Sequence, residues 1–165
     1  MGGVIELREL TSDDWQVWRA LRLAALEEAP YAFGSQLSDW VDAGEDRWRA
    51  RLELPGSRNV VAELDGRPVG MASGVRAEED GVVELVSMWI APDGRGRGIG
   101  DQLMAQVEQW AREADARVLK LSVVAGNEKA HNLYLRAGFT DTDESGDLMP
   151  DGIHRELVMR KPLTD

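Results

Sequence analysis

Val83-Glu-Leu-Val-Ser-Met-Trp-Ile-Ala-Pro-Asp-Gly-Arg-Gly-Arg-Gly-Ile-Gly100 joins an apolar strand to a glycine-rich turn, and the turn runs straight into a long amphipathic helix that begins near Ile99. That arrangement describes a seat for a phosphate group. Glycine lets the backbone curl and approach a ligand closely. The first N–H groups of a helix lack intrahelical partners and stand at the positive end of its dipole. Arg95 and Arg97 add fixed positive charge at the same place. Two familiar phosphate loops are excluded by the letters themselves. Walker A ends in Gly-Lys-Ser/Thr, which is absent, and the dinucleotide pattern Gly-x-Gly-x-x-Gly, counted from Gly96 or Gly98, lands on Asp101 or Leu103.

Outward from this stretch, period and punctuation predict an alternation of strands and helices. Ile5 to Leu10 alternates like a half-buried strand, and Thr11-Ser-Asp-Asp14 supplies capping residues for a helix carrying Trp18, Leu21, Ala25 and Leu26. Glu28 to Gly34 breaks that helix, and a second, with Trp40, Trp48 and Leu52, ends before Pro55-Gly56. Asn59 to Leu64 and Pro68 to Val75 read as a hairpin around Asp65-Gly66. Val82 to Ile90 is the next strand, and Ile99, Leu103, Val107, Trp110 and Ala114 form the apolar stripe of the helix after the glycine turn. Val118 to Val124 is a strand and Asn127 to Ala137 a helix. The last pair of strands begins at Phe139 and finishes near Ile153 to Met159, with the acidic stretch Asp141 to Asp151 as the loop between them. Interspersed strands and helices with a hairpin in the middle give an α/β or α+β domain with a mixed sheet.

Arg95, Gly98 and Gly100 make an Arg-x-x-Gly-x-Gly element directly after a strand, and here the chain resembles the GCN5-related N-acetyltransferase (GNAT) superfamily. A second block, Asn127-Glu-Lys-Ala-His-Asn-Leu-Tyr-Leu-Arg-Ala-Gly-Phe139, is similar to that family's later Asn-x-x-Ala-x-x-Leu-Tyr-x-x-x-Gly-Phe element, and two blocks in order are far more specific than one. The resemblance covers about Val4 to Pro162. It implies a single domain over 1–165 with a twisted, mostly antiparallel mixed sheet flanked by helices and splayed open at the acyl-CoA site. It also implies acetyl-CoA as cosubstrate, its pyrophosphate on the backbone of Arg95, Gly96, Arg97, Gly98, Ile99 and Gly100. The pantetheine arm adds to the strand at Met88, Trp89 and Ile90, whose side chains are otherwise core, and Asn127 touches that arm.

Transfer of an acetyl group to an amine requires a base for the ammonium and an acid for the leaving thiolate. Glu84 is the candidate base. Strand alternation puts it on one face with Val86, Met88 and Ile90 unless a bulge intervenes, and a carboxylate among apolar neighbours has a raised pKa; the competing reading is a strand-end glutamate facing solvent. Its place relative to Gly98 also matches the family's acidic base. Tyr134, seven residues after Asn127 and so on the same helix face, is the family's candidate acid near the sulfur; its competing reading is an aromatic packed in the core. His131 reads as a surface residue. By analogy with the family, Tyr31 to Ser35 and the acidic loop would flank the acceptor, with carboxylates such as Asp147 and Asp151 drawing a cationic amine; the competing reading of either is ordinary loop.

Composition narrows the chemistry. At 165 residues the chain is long enough for one substantial core. No cysteine is present, so an acyl-cysteine intermediate, disulfides and thiolate ligands are excluded, and the histidines His131 and His154 lack metal-ligand spacing, so no metal is expected. A net charge of −11 argues against a nucleic-acid partner and requires the site for a polyanionic cofactor to be locally positive. No apolar run spans a bilayer and the N-terminus lacks signal-peptide features, so a cytoplasmic protein without membrane partner is expected; assembly as a homodimer stays open. The expected activity is direct acetylation of a primary amine of a small molecule. The alternatives are a protein N-terminus or lysine as acceptor, or a non-catalytic acyl-CoA-binding regulatory domain.

Overall fold

One seven-stranded sheet organises the chain, in the order β1-β2-β3-β4-β5-β7-β6. The computed structural model describes residues 3–30 and 36–163. The strands are β1 (Ile5–Glu9), β2 (Ser57–Leu64), β3 (Arg67–Arg76), β4 (Val82–Ile90), β5 (Val118–Val124), β6 (Thr140–Leu148) and β7 (Arg155–Pro162). The helices are α1 (Trp15–Glu28), α2 (Leu37–Trp40), α3 (Glu45–Leu52), α4 (Ile99–Glu113) and α5 (Glu128–Arg136). The β2–β3 turn falls on Asp65 and Gly66 with φ of 52° and 82°, the positive pair a two-residue hairpin needs to match strand twist. No helix among the described residues is long and apolar enough to cross a membrane.

The sheet is mixed, with every pairing antiparallel except β4 with β5. That parallel pairing is short: Val82, Val83 and Glu84 meet Val118, Leu119 and Lys120, and there it stops. Beyond it β4 stays on β3 as far as Ile90, while β5 runs with β7 over its whole length. The two strands therefore diverge, and the edge of β4 from Leu85 to Ile90 has no β5 partner.

Apolar residues cover both faces. On one, α4 buries Ile99, Leu103, Met104, Val107 and Ala111 against Val60, Ala62, Ala72, Val83, Leu85 and the alternating Leu119, Leu121 and Val123 of β5. On the other, α1 and α3 bury Trp18, Leu21, Leu26, Trp48 and Leu52 against Val61, Met71 and Trp89. At about 25 cal/mol per Å² of apolar surface removed from water, such fully enclosed side chains dominate the stabilisation of both layers.

Three expectations change. The second helix is two, α2 and α3, with Gly44 as the extended N-cap of α3. The acidic stretch is no loop: β6 carries it as far as Leu148, paired irregularly with β7. It is an edge strand whose charge suits an unprotected edge. Finally, a bulge does interrupt β4. Ser87 sits at φ 55°, and the register with β3 slips between Met71 and Ser73. Met88 and Ile90 consequently turn to the α4 face, while Glu84 and Val86 share the opposite face with Ser73 and Trp89.

Candidate active site

β4 and β5 are parallel and splayed, so both release their chains at the open end of the gap. This is the kind of switch point where open sheets bind ligands. After β4 the chain makes a tight turn at Pro92–Gly94 and reaches the glycine run. Gly96 and Gly98 adopt φ of 77° and 78°, and Gly98 is the N-cap of α4 with no side-chain cap on the helix. A β-carbon at either glycine would meet no protein atom within 4 Å. Backbone conformation, and not crowding within the chain, is what requires glycine here. The uncapped first turn leaves N–H donors of Ile99, Gly100 and Asp101 for an anion, while the Ile99 side chain is buried at 1% exposure and serves the core.

The two loop arginines part company. Arg95 folds back: its Nε donates to the Ile90 carbonyl at 3.1 Å and its Nη2 to Glu28 Oε1 at 2.8 Å. Glu28 also accepts the Trp89 indole N–H at 3.0 Å. Those bonds, the indole first and Arg95 second, hold the Glu28 carboxyl below its usual range. The positive charge expected of Arg95 is thus already neutralised, and its role is to tie the end of α1 to β4. Arg97 is exposed and enters no ion pair among the described residues.

Glu84 stands where the gap closes, opposite Lys120 in the last parallel pair. It is half-buried, and burial pushes its carboxyl above the ordinary range; Lys120 opposes the shift and the charge of Asp147 adds to it. Sequence reasoning missed its neighbour. Glu156 of β7 is likewise raised by burial, then by Asp147, with a Ser122 hydrogen bond pulling down and Glu84 itself pushing up. Alternation with buried Val158 was the signal that it faces the sheet, but only the strand order brings it beside Glu84.

On the other flank, α5 follows β5. Asn127 caps it, its Oδ1 accepting from the Ala130 N–H at 3.4 Å, which leaves the Nδ2 amide hydrogens for other partners. Tyr134 packs edge-on against Phe139 with ring centroids 6.0 Å apart, and burial pushes its phenol up to about 12. It therefore keeps its proton at neutral pH. His131 is bound to Asp141 at 2.7 Å, joining α5 to β6.

A cavity of about 650 Å³ opens beside the α5 N-terminus, lined by Asn127, Lys129, Val124, Met149 and the β6–β7 turn. Asp151 lines it too but is spent on the turn. It accepts the N–H groups of Ile153 and His154 at 2.8 and 2.9 Å and meets His154 Nδ1 at 2.5 Å, contacts that hold it down at about 2. Of the two aspartates expected to attract an amine, only Asp147 acts on the Glu84 side. Tyr31 to Ser35 lies outside the described residues.

A protein-family model described as the acetyltransferase (GNAT) family matches residues 7–139. An IAA acetyltransferase of Azospirillum brasilense is 33% identical over 112 residues, 68% of this chain and 72% of that protein. An aminoalkylphosphonate N-acetyltransferase of Salmonella typhimurium is 31% identical over 141 residues, 82% of this chain and 85% of that protein. The chain spans 36% of the length of the rat and human N-acetylaspartate synthetases, which it matches at 34% identity. Among solved structures, yncA of Salmonella typhimurium, with its cofactor acetyl-CoA, superposes with a TM-score of 0.78 at 21% identity, covering 98% of this chain and 95% of that one.

Proposed function

The chain belongs to the GNAT acetyltransferase family, and from that premise we propose that it transfers an acetyl group from acetyl-CoA directly to the primary amine of a small molecule. The observation that carries this reading is the unpaired β4 edge, Leu85 to Ile90, leading into an uncapped helix start through left-handed glycines. A peptide-like pantetheine arm completes such an edge by β-augmentation, with the amides of Met88, Trp89 and Ile90 as partners. Its pyrophosphate sits on the N–H groups from Gly96 to Gly100, and exposed Arg97 supplies countercharge. Asn127 offers its remaining amide hydrogens from the far side of the gap.

In the chemical step the amine nitrogen forms a bond to the thioester carbon and the carbon–sulfur bond breaks. Glu84, unusually basic for a carboxylate, removes the ammonium proton directly or through a water. Tyr134, which holds its proton, gives it to the departing thiolate and is reprotonated by the second proton that the nitrogen sheds as the amide forms, so that the products are amide and free thiol, and the proton taken by Glu84 is the one released overall. An amine is the acceptor in the names of relatives such as the aminoalkylphosphonate N-acetyltransferase, which supports a small amine here. The test is free-thiol release from acetyl-CoA across a panel of small amines, with acetyl-CoA binding measured separately by calorimetry. Amine-dependent thiol release at rates well above hydrolysis is expected. Tight binding without any such release would leave an acyl-CoA-binding domain and end the transferase reading.

A further inference from the structure

The class of acceptor follows from where the cavity of about 650 Å³ lies and what lines it, given the transferase reading above. Register places it on the Glu84 side of the sheet. Glu84 pairs with Lys120, and along β5 the residues Lys120, Ser122 and Val124 alternate with Leu119, Leu121 and Val123, whose side chains belong to the α4 layer. Val124, a lining residue, therefore shares the face of Glu84, and on its other side it pairs with Glu156 of β7. Glu156 shares a hydrogen bond with Ser122 and feels the charge of Glu84. Acidic groups thus stand between the inner end of the cavity and the candidate base, whose partner Lys120 is four residues, roughly 13 Å, from Val124 along β5.

The walls have a different character. Val124 and Met149 are buried at 8% and 5% exposure yet belong to neither helix-covered layer of the described residues. Pro30, Ala125 and Pro150 add further apolar surface. The charged groups of the lining are engaged or stand at the rim. Asp151 is taken by the turn amides and His154. Lys129 lies near Glu28, whose carboxylate is kept charged by the Trp89 indole first, then by Arg95 and last by Lys129. Glu128 is exposed in the first turn of α5, where an acid suits the helix dipole. Of the residues proposed to hold acetyl-CoA only Asn127 lines this space, so the cavity lies beside the path from the β4 edge to the start of α4 and not on it.

We propose that this cavity takes the apolar body of the acceptor, so that the substrate class is a monoamine whose aromatic or aliphatic group is joined by a short alkyl chain to an ammonium at Glu84. Mostly apolar walls with a few polar groups at one end both hold and orient such a molecule. Its body gains by leaving water against Val124 and Met149. The hydroxyls of a sugar, or the second charge of a diamine or amino acid, would lose hydration there without partners. A diamine would also bring its outer charge beside Lys129.

The test compares five amines at saturating acetyl-CoA: phenylpropylamine, n-hexylamine, n-propylamine, diaminohexane and aminohexanoate. Phenylpropylamine and n-hexylamine should exceed n-propylamine in kcat/KM by roughly tenfold or more, since each further carbon buried in an apolar pocket multiplies the ratio. Diaminohexane and aminohexanoate should fall below n-hexylamine. Ala125→Leu fills the cavity from a partly exposed lining position. It should bring the ratio of phenylpropylamine to n-propylamine close to one through acceptor KM, with acetyl-CoA affinity unchanged by calorimetry. Because that substitution stands at the end of a strand, a measurement on the unaltered protein accompanies it: phenylpropanol, which is uncharged, should inhibit n-propylamine acetylation competitively with the amine and not with acetyl-CoA. Equal rates along the series, a preference for diaminohexane or aminohexanoate, or no inhibition by phenylpropanol would each overturn the inference while leaving acetyl transfer intact. Competition of phenylpropanol with acetyl-CoA would give the cavity to the cofactor and overturn it as well. Acetyl-CoA binding without thiol release on any amine would instead overturn the transferase reading on which the inference rests.

Discussion

Glu84 is a carboxylate whose neighbours disagree about its proton, and the signs can be separated by substitution. Burial raises its pKa, so its charged form is disfavoured in the folded chain and the acid limb of kcat/KM should lie above the range of about 4.3 typical of a free glutamate. Lys120→Gln removes the opposing charge and should move that limb upward; Asp147→Asn removes a like charge and should move it downward. Glu84→Gln should abolish the limb and cut turnover at neutral pH by roughly 10²–10⁴-fold, with the loss shrinking at high pH, where the amine deprotonates unaided. A folded pKa raised above the unfolded one costs stability at every pH above it, so the same variant should melt at the same or a higher temperature. Tyr134→Phe should stay slow at high pH, because the thiolate still lacks its donor. Near-normal rates for Glu84→Gln at neutral pH would transfer the base role elsewhere. Glu84 was legible because strand alternation is local. Glu156 and Asp147 were not, since their approach depends on β7 lying beside β5, and the flip of Met88 and Ile90 depends on a bulge at a serine, which no letter announces.

At the scale of elements, the glycine turn came through nearly intact, with α4 starting at Ile99 as its spacing predicts. Gly98 holds φ 78° with open space beyond its α-carbon. Alanine there should cost only about 1–2 kcal/mol of left-handed strain but should weaken acetyl-CoA at least tenfold, about 1.4 kcal/mol. Arg97→Glu should weaken it similarly. Arg95→Ala should instead free Glu28 and loosen the α1–β4 junction, lowering the melting temperature more than the affinity. Calorimetry and thermal melts on the three variants check the contrast; unchanged affinity in folded Gly98→Ala and Arg97→Glu would remove the phosphate seat. β6 shows where local reading fails. Asp, Glu and Gly disfavour strands, and the stretch is ordered by the ladder from β7 and by ion pairs such as Arg160 with Glu144 at 2.6 Å, all supplied by residues far along the chain.

For the molecule as a whole, what sequence leaves hidden is the strand order, because inserting β7 between β5 and β6 is a choice among long-range pairings. What it does convey is that no cysteine can carry the acetyl group. A chain without cysteine has no thiol to hold the acetyl group, and none of the candidate side chains around the gap is a good acyl carrier: Glu84 and Tyr134 are suited to proton transfer. On the proposed reading of direct transfer, both substrates are present together, acetyl-CoA along the open β4 edge and the amine on the Glu84 face. Initial rates measured against one substrate at fixed levels of the other should give intersecting double-reciprocal lines. Free CoA should compete with acetyl-CoA, since both need the same helix start, and should not compete with the amine. Parallel lines, the mark of a covalent acyl-enzyme, would mean that a residue other than those around the gap accepts the acetyl group first. Intact mass spectrometry of the protein after acetyl-CoA alone then decides the matter: an added acetyl group that an amine subsequently discharges would overturn direct transfer, and an unmodified mass alongside intersecting lines would establish it.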